Sequence, residues 1–263
     1  MTVETIILLC AVAIVGSVCL VLYLMYHKLS LAIDRLGKQS ARQTDNVITQ
    51  IEALLALYAE VRPTHGLPPT RGWAASPDFL RLLTKFVLES RPQSVVECSS
   101  GLSTLVLAAC LKMQGHGHVF SLEHDPEFAE KTRNLIQLHG LEAWATVIDA
   151  PLKKLSLPSW EGQWYDIAGL PPDVTIDMLV IDGPPHTTGH MARYPALPVM
   201  VNGMKPGTIV LLDDADREGE QKSRLLWQRE LPNFAVIPGL TAEKGVLGLR
   251  LESTVISNRS ALV

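Results

Sequence analysis

The chain has 263 residues, 47% of them hydrophobic and 19% charged, with a formal net charge of -4; that suits one globular domain of about 150–200 residues with a segment left over. No basic footprint for nucleic acid is present, so that partner class is set aside. The four cysteines show no CxxC or Cys/His spacing, which indicates neither a disulfide framework nor a zinc site.

After a short N-terminus at 1–4, the stretch TIILLCAVAIVGSVCLVLYLMY from Thr5 to Tyr26 runs 22 residues without a charge, close to the ~20 needed to cross a hydrocarbon core. It reads as a transmembrane helix in contact with membrane lipid, because a start of MTVE lacks the basic region of a cleaved signal peptide. Lys28, Arg35, Lys38 and Arg42 follow the span and no Lys or Arg precedes it. The positive-inside rule then predicts a single-pass protein of the inner (cytoplasmic) membrane, N-terminus outside and bulk in the cytoplasm.

Over residues 27–62, positions Leu29, Ile33, Leu36, Ser40, Gln43, Val47, Gln50, Leu54, Leu57 and Val61 recur in steps of four and three. This predicts a long helix. Its seam would serve a coiled-coil stalk, joining a second copy or a biosynthetic membrane partner, or would pack on the chain's own domain. A connector follows at 63–92: Pro63 ends the helix, and Ser76-Pro77-Asp78 supplies a cap, a first-turn proline and a first-turn acid for a helix through about Leu88.

From residue 93 to 255, short apolar runs alternate with helical stretches: SVVEC, then Ser103–Lys112; HVFSLE, then Pro126–Leu138; ATVIDA; IDMLVID, then a helix around Ala192–Val201; TIVLLDD, then Arg217–Arg229; and finally FAVIP and GVLGLRLE. Such alternation predicts an α/β, Rossmann-like doubly wound parallel sheet, here closed by an antiparallel strand pair. Residues 256–263 form a tail.

Ligands of such sheets bind beyond the carboxyl ends of the strands. The turn after the first strand, in VVECSSGLST, has small residues that let a backbone approach a ligand, but it lacks the GxGxxG of a pyrophosphate site. The second strand ends at Glu123, about twenty residues on, where an acid accepts hydrogen bonds from two ribose hydroxyls. Asp125-Pro126 already supplies the start of the next helix, which leaves Glu123 free for that role.

With these motifs in order, residues 93–252 resemble the class I S-adenosylmethionine-dependent methyltransferases. ECSSG stands where that family has its E-x-G-x-G loop, with Ser99 in place of the first glycine; Glu123 stands at the ribose acid and Asp149 near the adenine. The resemblance implies S-adenosylmethionine as cosubstrate, held by Glu97, Ser99, Ser100, Gly101, Ser103, Thr104, Glu123, His124 and Asp149.

The fourth and fifth strands end VIDGPPH and LLDDADR, and as neighbours they would bring Asp182, Asp213 and Asp214 together. Three carboxylates at one edge repel unless protonated, separated or bound to a cation, and an all-oxygen set suits Mg²⁺. A cation there stabilises a developing alkoxide and orients it. This pattern resembles metal-dependent O-methyltransferases, among them the sugar enzymes of macrolide and aminocoumarin biosynthesis. The departure is Pro184-Pro185-His186, where those enzymes commonly carry another acid. His186, beside Asp182, is the candidate base, with His190 as competitor. Arg193-Tyr194 and the aromatic stretch Trp160–Tyr165 are candidates to shape an acceptor pocket, and 151–175 is a candidate substrate lid.

The function expected is O-methylation at the cytoplasmic face, on a sugar hydroxyl of a glycan or lipid-linked intermediate, with divalent-metal assistance. The alternatives are a noncatalytic membrane-anchored scaffold and a metal-independent small-molecule O-methyltransferase.

Overall fold

The computed structural model describes residues 2–70, 72 and 74–253; the tail at 256–263 lies outside them. The first helix, α1 (Val3–Val61), is continuous for 59 residues. An 18-residue window within it has a mean hydropathy of 2.9 and no buried residue, so α1 holds a segment long and apolar enough to cross a membrane.

The chain divides into two compact units, Met1–Thr49 and the remainder from Gln50. Within the second, the last turns of α1 bury Gln50, Ala53, Leu57 and Val61. The predicted seam is therefore divided: from Gln50 onward it packs into the domain, while Leu29, Ile33, Leu36 and Val47 are exposed. Helix α2 (Pro77–Ser90) docks on these turns. Gln50 Oε1 accepts the Asp78 N–H at 3.2 Å, and Glu60 lies 3.7 Å from Arg81.

The alternating pattern then unfolds much as expected. Strand β1 (Ser94–Cys98) leads to α3 (Leu102–Gln114), β2 (His118–Glu123) to α4 (Pro126–Leu138), and β3 (Ala145–Asp149) follows. Next comes an element the sequence reading left as a lid loop: an antiparallel hairpin of β4 (Leu152–Leu157) and β5 (Trp160–Tyr165). The chain continues with β6 (Ile176–Ile181), α5 (Ala196–Met200), β7 (Met204–Asp213), α6 (Glu218–Glu230), β8 (Phe234–Val236) and β9 (Val246–Leu251). The helix expected around 192–201 shrinks to the five residues of α5, since Pro195 and Pro198 each remove a backbone donor from that stretch.

Seven strands form one sheet in the order β3-β2-β1-β6-β7-β9-β8, separate from the hairpin. The first five are parallel and β9 runs antiparallel between β7 and β8. Both faces are covered, which is why the parallel strands read as continuous apolar runs. Val95, Met178, Val180, Ile209 and Leu211 join the cluster beneath α2 and α3; Val96, Cys98, Leu179, Ile181, Val210 and Leu212 join the opposite one. This period of two fixes the site. Glu97 shares the face of Val95 and points under α3. The order also reverses between β1 and β6, opening a crevice at their carboxyl ends.

Candidate functional site

The β1 turn departs from the glycine-rich pattern but keeps its backbone path. Ser99 has φ 109°, in the left-handed region, and Gly101 has φ 147°. Below the turn lies a buried polar knot centred on Glu97 Oε2. Thr104 Oγ1 donates to Glu97 Oε2 at 2.6 Å and accepts the Gly101 N–H at 3.0 Å, while the Ser121 hydroxyl also donates to Glu97. Burial, opposed by these hydroxyls, raises the Glu97 pKa. Glu97, Ser103 and Thr104 are buried. They brace the turn from below, a placement that makes them supports for a ligand loop.

Glu123 stands at the surface of the same crevice, 5% exposed. Its Oε2 accepts both the N–H and the hydroxyl of Ser100 at 3.0 Å, and its Oε1 accepts the N–H groups of His124 at 2.8 Å and Asp125 at 3.0 Å. A carboxylate has about four lone-pair sites, so this one is fully engaged. A ribose hydroxyl must displace a donor, and Ser100 is the one with an alternative: its hydroxyl also lies 3.0 Å from Thr132 Oγ1. His124 Nδ1 is 3.0 Å from Glu123 Oε1. Asp149 sits beside Glu123 in register, with its side chain exposed and bonded to Arg133 at 2.7 Å.

Across the crevice, β6 and β7 bring Asp182, Asp213 and Asp214 together, with one oxygen of each within 4.8 Å of the others. The sequence pattern pointed to this cluster but missed its centre. Arg193, 4% exposed, places Nη2 at 3.1 Å from Asp182 Oδ1 and 3.0 Å from Asp214 Oδ2, while Nη1 donates to the Asp213 carbonyl at 2.9 Å. Glu220 lies 3.7 Å from Arg193 Nε, and Arg217 reaches Asp214 Oδ2 at 2.9 Å. Four acids thus face two arginines.

The imbalance is visible in individual atoms. Both oxygens of Asp213 and Oδ1 of Asp214 are buried without a hydrogen-bond partner. Burial, then repulsion from Asp182 and Asp214, pushes the Asp213 pKa up to about 7. Burial also raises Asp182 to about 6, against the pull of Arg193. Orphaned carboxylate oxygens from two neighbouring acids are the donor set a hard divalent cation uses, so the residues present fit such an ion.

His186 and His190 line a cavity of about 480 Å³ together with Met191, Arg217, Gly219 and Glu220, adjoining the acid cluster through Glu220 and Arg217. The aromatic expectations fare differently. Tyr194 is core: its ring stacks on Trp227 at 6.5 Å and its hydroxyl donates to Glu230. Trp164 is 1% exposed, buried in the sheet's second apolar cluster. Both are turned into the core, Trp164 from the hairpin and Tyr194 by packing against Trp227 of α6. Tyr165 is the exception. Its hydroxyl is buried without a partner, against Gly183, where a Cβ would meet it at 2.4 Å with Ser99 Cβ and the Cys98 carbonyl close behind. Burial holds its pKa well above the ordinary value, so it is a standing donor at the switch point.

Residues 96–215 match the sequence model of a family described as a methyltransferase domain. Among curated proteins no sequence match was found. Of the solved structures, the chain is similar to the O-methyltransferase TomG from Streptomyces achromogenes, involved in tomaymycin synthesis and bound to SAM, at 15% identity over 80% of this chain and 96% of that one, TM-score 0.55. It is similar to the SAH-bound methyltransferase PaMTH1 from Podospora anserina at 14% identity, over 76% and 88%, TM-score 0.53. Cofactor-bound Rv0187 from MTB follows at 21% identity, over 77% and 91%, TM-score 0.52. At such identities the likeness is one of fold. Together with the match from β1 through the acids after β7, it makes the fold of this domain that of the methyltransferases it is similar to.

Proposed function

We propose that the chain is an O-methyltransferase that methylates a sugar hydroxyl of a glycan or lipid-linked intermediate, with help from a divalent cation such as Mg²⁺. In this reading α1 anchors it in the inner membrane, N-terminus outside, so that the domain works at the cytoplasmic face. The exposed seam at Leu29, Ile33, Leu36 and Val47 is available to a second copy or a membrane partner.

The observation that carries the reading is that unsatisfied or exchangeable polar groups of two kinds meet at one sheet edge. On the β1/β2 side are the Ser99–Gly101 turn and Glu123; on the β6/β7 side are the orphaned oxygens of Asp213 and Asp214. Bound S-adenosylmethionine supplies a methyl group on a sulfonium. A bound cation stabilises the charge that develops on the acceptor oxygen.

The chain's own residues do the rest. Glu123 takes the ribose hydroxyls as the Ser100 hydroxyl turns to Thr132, and His124 and Asp149 flank the nucleoside. The Tyr165 hydroxyl donates into the crevice between β1 and β6. The acceptor would enter from the cavity beside His190 and Arg217, and His186 on its wall would take the hydroxyl proton as the oxygen bonds to the methyl carbon and the carbon–sulfur bond breaks, leaving S-adenosylhomocysteine. Alignment of oxygen, carbon and sulfur is the main task, since bringing reactants into line can supply about 7–11 kcal/mol of the barrier.

Calorimetric titration of the full chain in detergent micelles with S-adenosylhomocysteine, with and without Mg²⁺, tests the cosubstrate; a folded protein that does not bind it overturns the reading in favour of a scaffold. Methyl transfer from labelled S-adenosylmethionine to membrane glycan and lipid-linked sugar fractions tests the acceptor. One observation favours a second reading: Arg193 already places a cation among the acids. Turnover that survives exhaustive chelation would favour metal-independent methylation, with a small-molecule hydroxyl as the alternative acceptor.

A further inference from the structure

Arg193 lies in the segment between the short turn at His186–Thr188 and α5, and its guanidinium reaches both strands that carry the acids. Nη2 donates to the Asp182 carbonyl at 3.0 Å and to Asp182 Oδ1 at 3.1 Å. Nη1 donates to the Asp213 carbonyl at 2.9 Å. The side chain thus ties the carboxyl end of β6 to that of β7, just where their ladder has ended at Ile181 and Leu212.

The division of oxygens is the telling feature. Arg193 engages Oδ1 of Asp182 and Oδ2 of Asp214, and Arg217 holds that same Oδ2. Oδ1 of Asp214 and both oxygens of Asp213 are left buried and unpartnered. One guanidinium nitrogen, Nη2, contacts an oxygen of each of two acids while Nη1 holds the Asp213 carbonyl, so the rigid guanidinium restrains both side chains and with them the direction of the remaining oxygens.

We propose that Arg193 is a positioning residue for a divalent-cation site: it locks Asp182 and Asp214 by one oxygen each, so that their other oxygens and those of Asp213 converge on the ion. This rests on reading the three acids as cation ligands, as above. It makes a prediction that charge alone contradicts. A guanidinium beside a cation repels it, so electrostatics by itself says that removing Arg193 tightens metal binding; positioning says that removal weakens it.

The test is Mn²⁺ binding to the full chain in detergent micelles, read from the loss of the free-ion electron paramagnetic resonance signal, with no cosubstrate or acceptor present. Arg193→Lys keeps the charge and loses the fork; Arg193→Met loses both. Both variants are expected to bind Mn²⁺ at least ~10-fold more weakly than the native chain, the loss typical when a residue supporting metal ligands is removed. Arg217→Gln removes a half-exposed positive charge that holds Asp214 alone and does not tie the two strands, and is expected to weaken binding less than either Arg193 variant; an equal or larger loss would overturn the special role of Arg193. Circular dichroism and melting temperature report whether each variant folds.

The proposal is overturned if folded Arg193→Lys binds within twofold of native, or if Arg193→Met binds more tightly. Failure of both variants to fold also overturns it, in favour of a purely structural clamp; if only Arg193→Met fails, Arg193→Lys decides. A native chain that takes up no Mn²⁺ removes the cation reading itself, an outcome distinct from native binding that Arg193 substitutions leave untouched.

Discussion

Ser100 meets Glu123 twice, its backbone N–H and its hydroxyl both donating to Oε2 at 3.0 Å. The first bond belongs to the turn; the second is exchangeable, because the same hydroxyl lies 3.0 Å from Thr132. Ser100→Ala is therefore expected to leave S-adenosylhomocysteine affinity within about threefold of native, since the hydroxyl contributes only about 1 kcal/mol net. Glu123→Gln replaces an acceptor of four donors by an amide that itself donates, and is expected to weaken binding about 10–100-fold, the scale of one or two charge-assisted bonds. Calorimetry on both variants checks the contrast, and equal losses would contradict it.

Ser99 holds φ 109°, a conformation natural to glycine and strained for other residues. Ser99→Gly is expected to stabilise the protein by about 1 kcal/mol, a rise in melting temperature of about 2–4 °C for a domain of this size. Ser99→Ala keeps the Cβ and is expected to show no such gain.

The Tyr165 hydroxyl is buried without a partner, and an unsatisfied buried donor costs about 1–3 kcal/mol. Tyr165→Phe is expected to raise the melting temperature of the free protein while lowering cosubstrate affinity several-fold. Opposite signs in these two measurements would identify a group held ready for a ligand; a change of the same sign in both would identify a packing residue.

Asp182 and Asp213 have pKa values pushed up to about 6 and about 7, above the ~3.9 of an unfolded aspartate. Between these values the folded protein holds protons that the unfolded chain releases, so stability falls as pH rises from about 4 to about 7, by about 1.4 kcal/mol per pH unit for each proton so held. Melting curves in chelator at pH 5 and pH 8 are expected to show this loss. Millimolar Mn²⁺ is expected to restore stability at pH 8 and to do little at pH 5, where protons compete for the same oxygens.

Leu57 on α1 is fully buried in the core cluster that includes Phe79, Leu80 and Leu83 of α2. Leu57→Ala is expected to cost about 2–5 kcal/mol, a fall of several degrees in melting temperature, whereas Leu55→Ala on the exposed face of the same turn is expected to change it little.

The sheet was legible because parallel strands buried on both faces leave continuous apolar runs such as IDMLVI and TIVLL, each closed by a polar residue at the ligand edge. Glu123 and the three aspartates were found in that way, by their place at strand ends. The β4–β5 hairpin was not, since its turn is Pro158-Ser159 rather than Asn-Gly or Asp-Gly, and its lysines blur the alternation. Arg193 was noticed only as a neighbour of Tyr194. Its role depends on a side chain reaching from one segment to the ends of two strands, a relation no local pattern encodes. The faint signal was charge: three adjacent acids call for a cation, and a single arginine lies between VIDGPPH and LLDDADR.

The division of α1 at Gln50 has a consequence for how the protein can be cut. Tyr58 Oη accepts the Leu67 N–H at 2.9 Å, Gln50 holds the start of α2, and Leu57 and Val61 belong to the core. A protease acting on the helix between His27 and Thr49 cuts within the first of the two compact units, so the fragment it sheds carries every crevice residue described above. A cut a few turns later, between Gln50 and Val61, strips the cover from Phe79, Leu80 and Leu83 and leaves an aggregating remnant. Limited digestion should therefore come to rest at a stable product whose new N-terminus lies before Gln50, and that product would part the apolar helix segment from the crevice in one step.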